Sequence, residues 1–580
     1  MTSFHIEVEM FLFMSGNWKK YSLNSTISKF IFHTLRLEAS KVILIYYQDL
    51  YKLMAQSQGV KVFVRDATGL VRNVGGGGSF FATFALVTGG VPIFLISLLF
   101  LSPGANIYLA LAVMFIPSAA LGAVYTIFGI SMPRSGGDYV FVSRGLNSVL
   151  GFLNSFGLFF AYVFSLGIYS YFGAQYLGYA VYTYGFMNSN IALQNIAASM
   201  LTKDASVISA VIIIVIFLLV LAFVPTRKAF SLIFITGIIE VITTIALFAI
   251  TATISQGTFA TAFDKFAGTG AYSGVISSAV SNGLSYQPGL ATTLLALPIS
   301  WYAFTWYTLP ANWSGEMKQV KKSLPIAILY ALVVILIFYL AFYFTTFHAF
   351  GQQFMTAWSY NYANGYSLPF SFIGTYTPFF ISLVYASPII PVLGILVFWL
   401  PDVVFFIPTM IGASRYLFGW SFDRAVPSIF SKVSTRTKAP VISIVTVGVI
   451  GIIGLLAYAY IPAAAIVDII PIFDFGFIIP AITAILIPFV KKDLYNNSFV
   501  IKKKIVGVPL ITWLGVIALA GIIYGIIGLW NSYLMPINST TGITIGSVYI
   551  VAAIIFVVMY FVNKRMGINI TSAYKEIPPE

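Results

Sequence analysis

Cysteine is absent from all 580 residues, which excludes a disulfide framework, iron–sulfur clusters and thiolate metal sites. Charge is nearly as scarce. Charged side chains make up 8% of the chain, against roughly 25% in soluble globular proteins. Hydrophobic residues make up 59%, so the chain is an integral membrane protein without a soluble domain of useful size. The three histidines, His5, His33 and His348, fall outside the interiors of the predicted spans and leave no histidine proton relay. A Gly-x-x-x-x-Gly-Lys-Ser/Thr phosphate loop is missing, which excludes ATP as the direct energy source. Missing too are the clustered metal ligands or nucleophile–base groups of an enzyme and the repeated filter or charged rings of a channel. No cofactor is implied.

Acidic residues are the minority of the few charges, with 17 Asp and Glu against 31 Lys and Arg and a net charge of +14. In a soluble protein that excess would suggest nucleic acid, but its placement points to the lipid bilayer instead. Apolar stretches of about 20 residues, enough to cross the hydrocarbon as helix, recur at roughly 79–101, 107–130, 148–181, 207–225, 229–253, 291–313, 324–347, 384–413, 440–460, 465–490, 508–530 and 543–563. These twelve predicted spans put every Lys and Arg except Lys203 and Lys265 on one side. By the positive-inside rule that side is the cytoplasm, and both termini lie there. The opposite loops are rich in Tyr, Ser, Thr, Asn, Gln and Gly, as in WSYNYANGYS at 358–367, and include an N-glycan acceptor triplet at Asn538.

Residues 1–74 read as a basic cytoplasmic tail, with Met54 as an alternative start and Gly75 to Gly78 as a hinge. Residues 75–490 hold ten helices, 491–563 two more, and 564–580 a second cytoplasmic tail. The series of lengths and breaks restarts at the sixth span, and because five crossings is an odd number, two such units are inverted relative to each other. The expected fold is therefore all-α, with twelve transmembrane helices in an inverted five-plus-five repeat, helices one and six broken, and two extra helices at the end.

The stretch LALPISWYAFTWYTLPANWSGEMKQVKKSLP, Leu295 to Pro325, is a span built to break. Pro298 and Pro310 each remove a backbone donor, and Thr305, Trp306, Tyr307 and Thr308 stand where a lipid-facing helix would carry Leu, Ile or Val. Irregular backbone at membrane depth is tolerated where it lines a cavity, and transporters hold substrate on such half-helices. A proline-kinked packing helix is the plainer alternative. Four acids also lie inside spans, Glu240, Asp402, Asp468 and Asp474, and each is costly there unless it works. Glu240 is flanked by apolar residues on both sides, which makes a neutral, protonated form accessible to it, as a proton carrier requires. An inert, hydrogen-bonded glutamic acid is the alternative. Asp402, after Pro401, could serve a substrate amine, an ion or a proton, and Asp468 sits near the outer end of its helix.

The loop SMPRSGGDYVFVSRGLNSVLGFLNSFG, 131–157, resembles the signature of the amino acid/polyamine/organocation superfamily of secondary transporters, through Pro133, Arg134, Gly136, Gly137, Tyr139 and Arg144. GEMKQVKKSLPIAI matches that family through Glu316, Lys318 and Pro325, and ASRYLFGWSFDRAVPSIFSKVSTRTKAP through Arg415, Leu417, Asp423, Pro427 and Pro440. Thr88, Gly89 and Gly90 stand where the family breaks its first helix, with Thr replacing the first glycine and Pro92 added. Phe304, Thr305 and Trp306 stand at the sixth-helix break, where a glycine is lost.

The resemblance implies an amino acid or amine permease of the plasma membrane, driven by a proton or sodium gradient, with exchange as the alternative mode. Substrate would bind at Thr88, Gly89, Gly90, Phe304, Thr305, Trp306, Tyr307 and Thr308. The aromatics would close over it, and the half-helix N-terminus would seat a carboxylate. Glu240 and Asp402 would couple. Arg134 and Arg144 could pair with Asp138, Glu316 or Asp423 as an inner gate, with ordinary topogenic charge as the alternative.

Overall fold

In the computed structural model the described residues are 69–465, 467, 469–497, 503–530 and 539–567. Residues 1–68 of the basic tail, with Met54, and the acid Asp468, the acceptor Asn538 and the end of the C-terminal tail lie outside them. Eleven helices among the described residues are long and apolar enough to cross a membrane. They are α1 (Gly76–Ser97), α2 (Ile107–Ser131), α3 (Ser148–Met187), α4 (Lys203–Phe223), α5 (Thr226–Ala252), α7 (Val320–Phe350), α8 (Ile389–Phe422), α9 (Val441–Tyr460), α10 (Ile470–Val490), α11 (Leu510–Leu529) and α12 (Ser539–Arg565). The twelfth predicted span, α6, is split into an α-helix, α6a (Leu290–Tyr302), and a 3-10 helix, α6b (Trp306–Glu316). His348 lies in the last turn of α7, stacked on Phe344.

Helix starts follow local capping chemistry. The side chains of Asn106, Asn147 and Asn190 each accept from the backbone N–H three residues on, taking a donor that the first turn leaves orphaned. Packing then sorts the spans. Most of α1 is buried, 83% of its apolar window against 17% for α12. The interior is thus built from α1, α3, α8 and α10 with α6b, while α4, α9 and α12 turn large apolar side chains such as Ile212, Ile453 and Ile554 outward, as lipid contact requires.

The polar stretches on the side opposite the basic loops are more ordered than expected. Gln256–Ala267, Ala271–Ser281, Gln352–Ala363 and Thr377–Val384 are helices. The cause is their aromatic content: Phe259 lies 4.7 Å from Phe350, Phe263 5.2 Å from Phe354 and Trp358 5.1 Å from Phe380, between ring centroids. Edge-on contacts of this kind bury enough area to hold short helices whose other faces are polar.

Candidate functional site: the breaks of α1 and α6

Helix α1 stops at Thr88 and restarts at Val91, with Gly89 between them at φ −55°, ψ −117°. Such a break orphans carbonyls on one side and N–H groups on the other, and the chain satisfies several of them itself. Tyr339 of α7 donates to the Val87 carbonyl at 2.6 Å, and Tyr176 of α3 to the Gly90 carbonyl at 2.9 Å. The Gly90 N–H points at Asp402 Oδ1, 3.4 Å away. Pro92, in the first turn of the second half, brings no N–H to satisfy. On the other side of the break the Thr88 hydroxyl lies 2.6 Å from the Phe84 carbonyl and 2.5 Å from Glu240 Oε1 of α5.

In α6 the interruption falls at Ala303 to Thr305 rather than at the prolines. Pro298 sits inside α6a and Pro310 inside α6b. The α-helix ends where the Thr305 hydroxyl turns back to the Tyr302 carbonyl at 3.2 Å, a local bond that competes with helix continuation. Residues three apart share a helical face, and the break divides the expected aromatics accordingly. Phe304 and Tyr307 meet α2, Phe304 lying 6.1 Å from Phe115 and Tyr307 donating to the Ser118 carbonyl. Trp306 faces α3 and α10, 5.4 Å from both Tyr169 and Phe473, with Thr308 3.4 Å from the Tyr162 hydroxyl. Thr88, Glu240, Phe304, Thr305, Trp306, Tyr307, Thr308 and Asp402 are each no more than 2% exposed. In this conformation the residues around both breaks are buried.

At the end of the bundle that carries the basic loops, ion pairs close the same helices. Arg415 of α8 grips Glu316 side-on, Nε to Oε1 at 2.7 Å and Nη2 to Oε2 at 2.8 Å. Arg144 reaches Asp423 at 2.7 Å, and the Tyr139 hydroxyl adds a 2.9 Å bond to the same carboxylate. Of the expected pairings Arg144 with Asp423 is present, whereas Glu316 is held by Arg415. Arg134 keeps its guanidinium on the Pro133 carbonyl at 2.9 Å and offers its own carbonyl to Ser314. The Gly136-Gly137 turn has φ of +106° and +47°, open to glycine alone at low cost, and a Cβ on Gly137 would overlap the Asn312 side chain of α6b.

Residues 79–564 match the family model described as amino acid permease. The chain belongs to that family. The permease is a multi-pass membrane transporter, not an enzyme. Its fold is similar to a solved structure described as a substrate-bound, outward-open Na+-coupled sialic acid symporter, at 12% identity and a TM-score of 0.46, with 78% of this chain and 89% of that one covered. A search of curated proteins finds no match.

Several residues that shape the candidate site of the permease carry no strong sequence signal. Tyr169, Gly173 and Tyr176 fall at i, i+4 and i+7 of α3, one face of the helix, and this face meets Trp306, Asp402 and Gly90. A Tyr-Gly-Tyr stripe in an apolar span was the available cue. Asp474, one of the acids within a span, accepts from Trp301 Nε1 of α6a at 2.7 Å. Among the described residues no group of three His, Asp or Glu converges as a metal site would.

Asp138, in the short helix Asp138–Gly145 between α2 and α3, accepts from Tyr416 at 2.5 Å and Asn154 at 2.9 Å. Burial raises its carboxyl to about 7, an effect these hydrogen bonds partly offset. A folded-state value above the unfolded one means the folded form binds the proton more tightly. The contribution is therefore complete below about pH 4 and lost as pH rises through 7. The melting temperature should accordingly fall between about pH 4 and pH 7 and level off above, and Asp138→Asn should flatten that slope; an equally steep slope in the variant would remove Asp138 as its source.

Proposed function

We propose that the protein is a proton-coupled permease that moves amino acids or related amines across the plasma membrane by alternating access. Five-helix units inverted relative to each other would rock about the breaks, and the basic end with both termini would face the cytoplasm. The observation that carries this reading is the contact between Glu240 and Thr88, the last residue of the first half of α1. A hydroxyl has one hydrogen. When Thr88 donates it to the Phe84 carbonyl, as helical threonines do, a bond to Glu240 requires the carboxyl to supply the proton. When Glu240 is ionised, the Thr88 hydrogen turns to it and leaves the helix carbonyl. Proton gain and loss are thereby read at the break where substrate binds. Ion pairs Arg415–Glu316 and Arg144–Asp423 would form the inner gate, with Arg134 holding its loop against α6b.

Glu240→Gln keeps the size and hydrogen bonding but cannot titrate. Purified variant in proteoliposomes should bind substrate within about threefold of the native affinity, less than 1 kcal/mol, and lose accumulation driven by an acid-outside pH gradient. Native accumulation in the variant would reject Glu240 as the coupling group. Accumulation that follows sodium and ignores pH would reject proton coupling altogether.

A further inference from the structure

The seat at the α1 break that a substrate carboxylate would use already holds a carboxylate. Asp402 follows Pro401 just beyond a π-helical widening of α8, Ile395–Trp399, and such bulges recur at functional sites. Its Oδ1 faces the Gly90 N–H, and Pro92 has removed a further donor from the same turn. The other oxygen, Oδ2, accepts no hydrogen bond although the residue is 1% exposed. Oδ2 is directed at Gly173 of α3, where a Cβ would come within 2.6 Å of it. The buried basic side chains among the described residues are Arg144 and Arg415, bonded to Asp423 and Glu316 at the far end of the bundle. An acid this deep in a membrane protein calls for a positive partner, and the described residues supply none nearby. Aromatic rings belong to the same neighbourhood: Tyr169 and Tyr176 share the α3 face of Gly173, Tyr176 packs on Gly90, and Trp306 lies 5.4 Å from Tyr169 and 5.3 Å from Tyr302. The Trp306 Nε1 is also without a partner. One unpaired carboxylate oxygen beside an α3 face that carries Tyr169 and Tyr176 is an arrangement that recognises an organic ammonium, by charge from the carboxylate and cation–π attraction from the rings.

We infer that Asp402 is the counter-ion of the cargo's ammonium group, and that the cargo is an amine bound without need of a free carboxylate. This rests on the permease reading above and narrows its substrate class. Binding to the purified protein is measured, by thermal shift and isotope competition, for matched sets: phenylalanine, phenethylamine and N-acetylphenylalanine; ornithine, putrescine and N-acetylornithine blocked at the α-amine; tryptophan, tryptamine and N-acetyltryptophan. In the set that binds, the decarboxylated amine should bind at least as tightly as its amino acid. Where no other ammonium remains, the N-acetyl compound should bind at least tenfold more weakly. Asp402→Asn should weaken the amine at least tenfold, and Gly173→Ala, which keeps the charge but fills the space beside Oδ2, should do the same. Binding of the amino acid without its amine would overturn the inference and leave the permease reading intact. Binding that requires sodium and is unaffected by removing the ammonium would assign Asp402 to an inorganic cation and overturn it as well. Silence toward all members would overturn both, and these outcomes are decided on the unaltered protein even if a variant fails to fold.

Discussion

Replacing Arg415 by Leu is expected to destabilise the protein by about 3–5 kcal/mol, the range for removing one partner of a buried ion pair. Arg415 is 0% exposed and Glu316 1%, so neither charge can turn to water when the other is lost. Glu316 also joins three elements. Its side chain is held by α8, its own chain ends α6b, and its carbonyl accepts from Val74 N, just ahead of α1, at 3.0 Å. An unpaired Glu316 should therefore loosen the ends of α1, α6 and α8 together. The double variant Arg415→Leu with Glu316→Leu should recover much of the loss, because no uncompensated charge stays buried. Thermal unfolding of the three proteins separates these cases. A double variant as unstable as the single one would mean that shape rather than charge sets the stability there. Since the chain has no cysteine, single cysteines placed near Gly412 would report opening of this end by their labelling rate without background.

Gly90→Leu is expected to abolish substrate binding while leaving insertion intact. A Cβ at this position would overlap the ring of Tyr176, whose hydroxyl is tied to the Gly90 carbonyl, so even Gly90→Ala must displace the ring and break that bond. Overpacking of this kind costs about 1–3 kcal/mol and the lost hydrogen bond about 1 more. Every 1.4 kcal/mol is about a tenfold change, so Gly90→Ala should bind at least tenfold more weakly. Gly89→Ala is expected to act through a different contact, since its Cβ would lie 2.8 Å from the Asp402 backbone N, which cannot move as a side chain can. Native affinity in Gly90→Ala, measured by the same competition assay, would show that the break tolerates a side chain and that Tyr176 does not define the site.

Much of the architecture was legible because the bilayer enforces it. Twelve apolar stretches of spanning length, and the confinement of Lys and Arg to one side, follow from the cost of unsatisfied backbone and of charge in hydrocarbon. Those costs act residue by residue along the chain. The break in α1 was readable for the same local reason, as two glycines interrupt an apolar run. The break in α6 was placed only approximately, because its position depends on the Thr305 hydroxyl competing for the Tyr302 carbonyl, whereas Pro298 is absorbed within the helix. The helices opposite the basic loops were missed because aromatic contacts between distant segments stabilise them, and no periodicity within one segment reveals a partner in another.

The chain by itself determined the solvent the protein lives in, the stretches apolar enough to cross it, the positions of the glycines and prolines that allow breaks, and the presence of a few acids too costly to bury idly. Which acid meets which break was decided only by tertiary structure. Glu240 and Asp402 are 152 and 312 residues from the α1 residues they contact, and Arg415 is 99 residues from Glu316. The physical reason is that each of these polar groups is buried among apolar helices and must find its partner across a helix interface. The crossing of α1 with α5 and α8 settles which partner that is, and spacing within one strand of sequence carries no record of it.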